Sequence, residues 1–269
     1  MKTDYKFKYK LEEKAFITSI GPIGSGCDVE IPNDEDTVHM NNFNYCRNLK
    51  SVELPDNITG INNRAFEKCE SLKSIKLSSS IKYIGDETFC NCESLKEIYL
   101  PDSLKFIGTR AFFYCTSLEK IKLSNNLRAI EPEMFYECNN LKEIIIPESV
   151  TTIGVRAFAG CKSLEKIVLP KSVEDIKDFP FIDCYNLREI KIESECKISD
   201  CLFSDCFDLE KIYITKKSYD LSPSFIEDCK KECIDIEIIK EKTLDDILNE
   251  GKSFREANKL LKNNSIVLR

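Results

Sequence analysis

The chain has 269 residues, of which 32% are charged and 42% are hydrophobic, and its formal net charge is −7. This composition is typical of a globular protein and contains too many apolar residues for a disordered chain. The acidic charge disfavours nucleic acid or an anionic membrane as the main partner, and no apolar run is long enough for a transmembrane helix.

Residues 1–22 precede the repeated pattern described below and are predicted to form an N-terminal cap segment. The stretch MKTDYKFKYKLEEKAF lacks the apolar run and cleavage site of a secretory signal, so a cytoplasmic location is expected if Met1 is the native start. Residues 21–26, GPIGSG, are rich enough in glycine to cradle a phosphate through backbone amides. They lack the strand–loop–helix context of a phosphate-binding loop, so a turn is the favoured interpretation.

From residue 23 onward the chain repeats itself with one nearly constant period, the interval from Cys46 to Cys69, and with the consensus C-x-x-L-x-x-I-x-L-P-x-x-V-x-x-I-G-x-x-A-F-x-x. Nine of the fourteen cysteines occupy one position of this repeat: Cys46, Cys69, Cys92, Cys115, Cys138, Cys161, Cys184, Cys206 and Cys229. A disulfide framework places its cysteines at irregular spacings. The fixed period instead predicts reduced thiols, buried as small hydrophobic side chains.

Every repeat predicts the same succession of short elements. The I-x-L segment alternates apolar and variable residues, which predicts a half-buried strand, and a proline often ends it. A second apolar pair and a glycine turn follow, and the A-F dipeptide predicts a tight helical or 3₁₀ turn against the core. The aromatic position is expected to form a stacked column: Phe43, Phe66, Phe89, Phe112, Phe135, Phe158, Phe181 and Phe203, closed by Ile226.

A single repeat unit cannot bury enough apolar surface to fold alone, so the copies are expected to stack into a solenoid. The solenoid is predicted to cover residues 23–240, with about eight full repeats of 22–23 residues and partial copies at its ends.

Residues 241–269 leave the pattern and are predicted to form a C-terminal helical cap. Thr243 with Asp246, and Ser253 with Glu256, have the spacing of helix capping boxes, and each pair precedes apolar residues. Two short helices that fold back over the open end of the solenoid are therefore expected. The alternative is a projecting arm that engages a partner or another copy.

The repeat resembles the leucine-rich repeat of the BspA-like family, in segments such as SLKSIKLSSSIKYIGDETFCNC (71–92) and NLKEIIIPESVTTIGVRAFAGC (140–161). The resemblance covers about residues 23–239. It implies a leucine-rich-repeat solenoid, a curved right-handed coil with a β-sheet face, short strands, tight turns and capped ends. It also implies binding or adhesion rather than catalysis, often at the cell surface, and brings no catalytic residues.

Few residues suggest reaction chemistry. The only histidine, His39, lies in a polar stretch and has no evident partners for a catalytic triad. Five cysteines crowd the C-terminal repeats, but their gaps do not match the paired short spacings of zinc sites: Cys196, Cys201, Cys206, Cys229 and Cys233. No metal, no cofactor and no enzymatic activity are therefore expected.

The variable residue inside I-x-L should point out of the sheet, away from the core. This position carries Glu53, Lys76, Tyr99, Lys122, Ile145, Val168, Lys191 and Tyr213, which we call the outward column. The residues predicted to bind a partner are Tyr99, Ile145, Val168, Tyr213, Lys76 and Lys122, and Tyr83 with Phe106 would extend this strip around one edge. The alternative interpretation is strand propensity combined with cross-strand ion pairs.

The leading functional hypothesis is a non-enzymatic module that recognises a protein or peptide on its exposed sheet face. A structural protein that associates with itself through the solenoid ends or through residues 241–269 is the second hypothesis. Neither a nucleic acid nor insertion into a membrane is expected.

Overall fold

The computed structural model describes residues 27–30, 37–38, 43–54, 56–199 and 201–239. The I-x-L segments form what we call the front strands: β1 (Cys27–Glu30), β3 (Leu49–Glu53), β5 (Ser74–Lys76), β7 (Glu97–Tyr99), β9 (Lys120–Lys122), β12 (Lys166–Leu169), β14 (Glu189–Ile192), β15 (Lys211–Thr215) and β16 (Asp235–Ile239). The second apolar segments form the rear strands: β2 (Thr37–Val38), β4 (Gly60–Ile61), β6 (Tyr83–Ile84), β8 (Phe106–Ile107), β10 (Ala129–Ile130), β11 (Thr152–Ile153) and β13 (Asp175–Ile176).

All strand pairs are parallel and join counterparts along the stack of coils, although β8 does not pair with β10 and β9 does not pair with β12. The register equals the repeat, since Val52 lies opposite Ile75 and Ile61 lies opposite Ile84. The chain is therefore a parallel β-solenoid, as the repeat period predicts.

The core contains a column of stacked phenylalanines. From Phe43 to Phe181, neighbouring ring centroids lie 5.0 to 5.6 Å apart, and the ring planes differ by at most 12°. These seven side chains are at most 1% exposed. The predicted aromatic column is confirmed over this range.

The repeat cysteines are buried and free of disulfides, and those from Cys69 to Cys206 make a contact that their spacing did not reveal. The thiol of Cys92 donates to the carbonyl oxygen of Phe66 at 3.2 Å, and that of Cys115 donates to Phe89 O at 3.1 Å. The same bond recurs in the other coils from Cys69 to Cys206. The thiols therefore connect adjacent coils by hydrogen bonds as well as filling space.

The turn after the rear strand places two residues of many coils in the left-handed region of backbone conformation, although most of these residues carry a side chain. Glu87 and Asn91 have φ of 54° and 58°, and Arg110 and Tyr114 have the same values one coil later. Such conformations are uncommon for non-glycine residues. Hydrogen bonds between adjacent coils hold the turn, for example from the Asn91 amide to Phe113 O at 2.7 Å.

The last coils differ from the consensus. Helices α1 (Lys216–Leu221) and α2 (Pro223–Lys231) stand where the rear strand and turn are expected. The prediction that Ile226 closes the aromatic column is wrong, because the Phe225 ring packs on Phe203 at 5.8 Å with a tilt of 48°. The helical backbone changes which residue faces the column, and Ile226 is buried beside it.

Candidate functional site

The outward column lies on one face of the front strands, as side-chain alternation predicts. Strand β5 is exposed, buried and exposed in sequence, and β7 and β12 alternate in the same way. Tyr99 lies opposite Lys122 in the adjacent strand, and Val168 lies opposite Lys191. The front strands therefore place the predicted residues on one face in two groups, and the coil that carries Ile145 lies between them.

Three apolar members of the outward column are open to solvent. Ile145 is 85% exposed, Tyr99 is 58% exposed and Val168 is 46% exposed. They belong to three of four consecutive coils, and exposed Lys122 occupies the fourth. Large apolar side chains at positions that the core does not require are the notable feature of this face.

Tyr99 and Tyr213 differ in how their neighbours hold them. The Tyr99 hydroxyl donates to the Glu97 carboxylate at 3.0 Å, and this bond raises the pKa of Tyr99. Tyr213 is half-buried, and the Lys211 ammonium lies 4.8 Å from its ring centre. Hydrogen bonds to Glu237 and Tyr213 raise the pKa of Lys211. Tyr213 is therefore less accessible than Tyr99, Ile145 or Val168.

Charged residues flank the apolar part of the outward column. Lys76 forms an ion pair with Glu53 in the preceding coil, and the hydrogen bond to Glu53 raises the pKa of Lys76. Lys191 pairs with Glu193 at 2.5 Å on the other flank. Exposed pairs of this kind contribute about 0–1 kcal/mol to stability. Their main consequence is a polar border around the apolar residues.

The front ladder is interrupted in the coil that carries Ile145. Residues 143–146 form no strand, and β9 and β12 on either side belong to different sheets. Within the described part of the chain, no backbone group of 143–146 hydrogen-bonds to another backbone group. Ile144 and Ile146 are still buried, so the coil keeps its place in the stack. The ladder of the front strands is thus interrupted at the centre of the apolar face.

Tyr83 and Phe106 do not extend the outward column directly. They lie opposite each other in β6 and β8, which belong to the rear strands. The aromatic pair therefore lies on a surface separate from the outward column.

The turn side of the solenoid carries a charge pattern that the sequence analysis did not identify. Arg64 pairs with Glu87 at 2.9 Å, and Arg110 contacts Glu87 at 4.0 Å and Glu133 at 2.5 Å. The alternation of Arg and Glu at one position of successive repeats is visible in the sequence. It connects successive coils along the turn side, and the residues that form it are themselves in the left-handed region of backbone conformation.

The described residues contain no arrangement that suggests catalysis or metal binding. They include no group of three or more His, Cys, Asp or Glu side chains that could hold a metal ion. Two of the C-terminal cysteines, Cys196 and Cys201, contact Ser194 and Ser199 instead. His39 and residues 21–26 lie outside the described residues, as do the predicted caps at 1–22 and 241–269.

Parallel strands in register, a buried Leu and Ile core and coils of one repeat each define a solenoid of the leucine-rich-repeat class. The sequence model for the BspA-type leucine-rich repeat region matches residues 25–142 and 107–233, with six copies. The chain belongs to this family.

Several solved bacterial structures are similar to the chain. A leucine-rich repeat protein from Bacteroides ovatus is 22% identical with a TM-score of 0.46, and the match covers 79% of this chain and 69% of that chain. A T. pallidum leucine-rich repeat protein is 27% identical with a TM-score of 0.44, covering 71% and 86%. A leucine-rich cell surface protein from Faecalibacterium prausnitzii is 21% identical with a TM-score of 0.32, covering 69% and 78%.

A search of curated proteins found no match. In the part of the chain that the structure describes, no helix has the length and apolar character needed to cross a bilayer.

Proposed function

We propose that the protein is a non-enzymatic recognition module that binds a protein or peptide on the face formed by the outward column. Membership of a leucine-rich-repeat family supports a binding role. The predicted partner-binding residues are Tyr99, Ile145, Val168, Tyr213, Lys76 and Lys122. A rigid stack of coils presents them without the entropy cost of ordering loops on binding.

The exposure of Ile145 carries the proposal. Its side chain is 85% exposed at the middle of the face, between buried Ile144 and Ile146. With Tyr99 and Val168 it gives the face an apolar centre, and the ion pairs described above give it a polar border. This arrangement is typical of protein interfaces, in which tyrosine is enriched among the residues that dominate affinity.

A photo-crosslinking amino acid at position 145 tests the proposal in native lysate. We expect one predominant crosslinked protein, which should be absent when the crosslinker replaces Val155. Val155 is a suitable control because it is 38% exposed but lies on the turn side. Equal crosslinking from both positions would contradict recognition by the front face.

The triple variant Tyr99→Thr, Ile145→Thr, Val168→Thr provides the matching affinity measurement with the captured protein. Threonine keeps the strand propensity and removes much of the apolar surface. We expect binding to weaken by at least about tenfold, which corresponds to only about 1.4 kcal/mol of binding free energy. The melting temperature should stay unchanged, because the three substituted side chains are exposed. Unchanged affinity would exclude the outward column as the binding surface.

Self-association through the C-terminal end is the second candidate function. Strand β16 pairs with β15 and is the last strand of its sheet in the described residues. An available strand edge is a template for pairing with another chain. Self-association that persists in the triple variant and is lost on changes in β16 would favour this function.

A further inference from the structure

A row of three cations lies at one position of the repeat, immediately before the rear strands β6, β8 and β10. The residues are Lys82, Lys105 and Arg128, each exposed and each one repeat after the last. The Lys105 amide donates to Lys82 O at 2.9 Å, which places these two residues in adjacent coils. Arg128 belongs to the next coil, whose strand β10 is not hydrogen-bonded to β8. With about 4.8 Å between neighbouring coils, the row extends over about 10 Å.

These cations lack the ion-pair partners that are common elsewhere on the surface. Among the described residues, the cationic side chains of these three form no ion pair and no hydrogen bond, although the Thr151 hydroxyl donates to the backbone carbonyl of Arg128 at 3.2 Å. Two nearby carboxylates have other partners, since Asp86 accepts from the Thr109 amide at 2.8 Å and Asp102 accepts from the Asn125 amide at 3.1 Å. The row therefore presents three cationic side chains that are not paired with carboxylates, on a protein whose net charge is negative.

Two aromatic side chains accompany the row. Phe106 follows Lys105 in the chain and is 50% exposed. Tyr83 follows Lys82, and its hydroxyl donates to Asn62 Oδ1 at 3.0 Å. Its ring also covers Gly60, where an added Cβ would approach the ring to 2.0 Å. Tyr83 and Phe106 lie opposite each other in register, so they form one aromatic surface beside the charges.

We propose that this row binds an extended acidic segment of a protein, separately from the front face. In an extended chain, side chains on one side recur about every 6.8 Å, so two or three carboxylates fit along a row of about 10 Å. An apolar residue between the carboxylates would contact Phe106. The net charge of −7 repels extended anionic surfaces and polymers, whereas a short segment is governed by the local positive charge.

The row has defined ends. The same repeat position holds Thr59 before Lys82 and Thr151 after Arg128. Exposed Glu174 follows one repeat after Thr151 and would repel an acidic chain that continued in that direction. These residues limit the contact to about three coils, so a segment with two or three acidic side chains should be sufficient.

The experiment measures binding of a fluorescent peptide in which Glu alternates with Thr and Tyr, and compares it with the same peptide carrying Gln in place of Glu. The test variant is Lys82→Thr, Lys105→Thr, Arg128→Thr, which extends the threonines already present in the column. The control variant, Lys50→Thr, Lys73→Thr, Lys142→Thr, changes the net charge by the same amount at exposed lysines that lie at the start of front strands or of the interrupted segment.

We expect saturable binding of the Glu peptide to the wild-type protein. The affinity of the test variant for this peptide should be lower by about tenfold or more, because three exposed charge contacts are lost. The control variant should retain most of the affinity, and the Gln peptide should not bind. Phe106→Thr should weaken binding to a similar extent at low and high salt, because its contact is apolar.

Three results would overturn the proposal. The first is no saturable binding of the Glu peptide, and the second is an equal loss in the test and control variants, which would reflect net charge alone. The third is preferential binding of heparin or of vesicles containing phosphatidylserine over the peptide. None of these measurements involves Ile145. A result that contradicts binding at the cation row therefore leaves the proposed role of the front face unaffected.

Discussion

At the scale of single residues, Phe112 shows how a repeated position gains stability from its copies. Its ring lies 5.4 Å from Phe89 and 5.6 Å from Phe135, with nearly parallel planes. Its carbonyl oxygen accepts a hydrogen bond from the thiol of Cys138 at 3.3 Å. The ring therefore contacts the coils on both sides of its own, and its loss would affect all three coils.

The substitution Phe112→Ala should lower the free energy of unfolding by about 3–5 kcal/mol, the usual range for removing a buried aromatic ring and leaving a cavity. Urea unfolding followed by circular dichroism measures this loss. Phe203→Ala is the matched control, because Phe203 is half-buried near the end of the column and should cost less. Unfolding of Phe112→Ala at the wild-type urea midpoint would disprove the role of the column.

The buried thiols predict an unusual sensitivity to alkaline pH. Burial raises the pKa of Cys92, Cys115 and Cys138 well above the ordinary value of 9.0, and raises that of Cys90 to about 11. Above pH 9 the unfolded chain therefore loses thiol protons that the folded protein retains. The stability supplied by the buried neutral thiols is fully present below pH 9 and is lost as the pH rises toward their folded-state pKa values.

Each such thiol should decrease the free energy of unfolding with a slope that rises through pH 9 toward a limit of about 1.4 kcal/mol per pH unit. The double variant Cys115→Ala, Cys138→Ala should reduce the slope by up to about 2.7 kcal/mol per pH unit, whatever its stability at pH 7. Urea unfolding in reductant at pH 8, 9 and 10 gives the slopes. Identical slopes for both proteins would show that these thiols ionise equally in the folded and unfolded states.

Among the secondary-structure elements, the sequence predicts the strands that follow from a local residue pattern. It does not predict the features that depend on contacts with adjacent coils. The strands β5, β7 and β12 follow from alternation within three or four residues. Residues 143–146 have the same alternation but form no strand, because a strand also requires hydrogen bonds from the coils on either side. Helices α1 and α2 arise where the consensus fades, so the period gives no information there.

The glycine after the rear strand is required for steric reasons. A Cβ at Gly85 would lie 2.2 Å from Asn63 Oδ1 and 2.4 Å from the Asn63 backbone nitrogen in the preceding coil. Because the backbone cannot rotate away as a side chain can, Gly85→Ala should cost about 1–3 kcal/mol, as overpacking typically does.

Gly60→Ala is the informative comparison for Gly85→Ala in thermal unfolding. The atoms that a Cβ at Gly60 would meet belong to the Tyr83 ring. That ring can move outward, so the melting temperature should fall less than for Gly85→Ala. A larger loss for Gly60→Ala would show that Tyr83 is held more rigidly than the backbone of the adjacent coil.

At the scale of the whole molecule, stacking converts each repeat position into a surface column, and this explains how much of the candidate site was predictable. The outward direction of Tyr99 and Ile145 follows from side-chain alternation alone. The interrupted ladder at Ile145 does not, because it depends on pairing between coils. The cation row of Lys82, Lys105 and Arg128 is visible as a spacing, but only the fold shows that its members are exposed and unpaired.

The same scale poses the question of what covers the last coil. Strand β16 pairs with β15 on one side, and Ile236 and Ile238 are only partly buried against the core. An open strand edge with apolar side chains favours pairing between chains. Residues 241–269, which lie outside the described residues, carry the sequence pattern of two amphipathic helices suited to cover this end.

Deletion of 241–269 should therefore produce concentration-dependent association and a lower melting temperature, measured by light scattering and calorimetry. Adding Ile239→Lys to the truncated protein should restore the monomer, because a charge on an exposed edge opposes strand pairing. The truncated protein without this change is the matched control. If it remains monomeric and equally stable, residues 241–269 do not cap the solenoid, and the projecting-arm alternative is favoured. If association persists with Ile239→Lys, the contact lies elsewhere than the β16 edge.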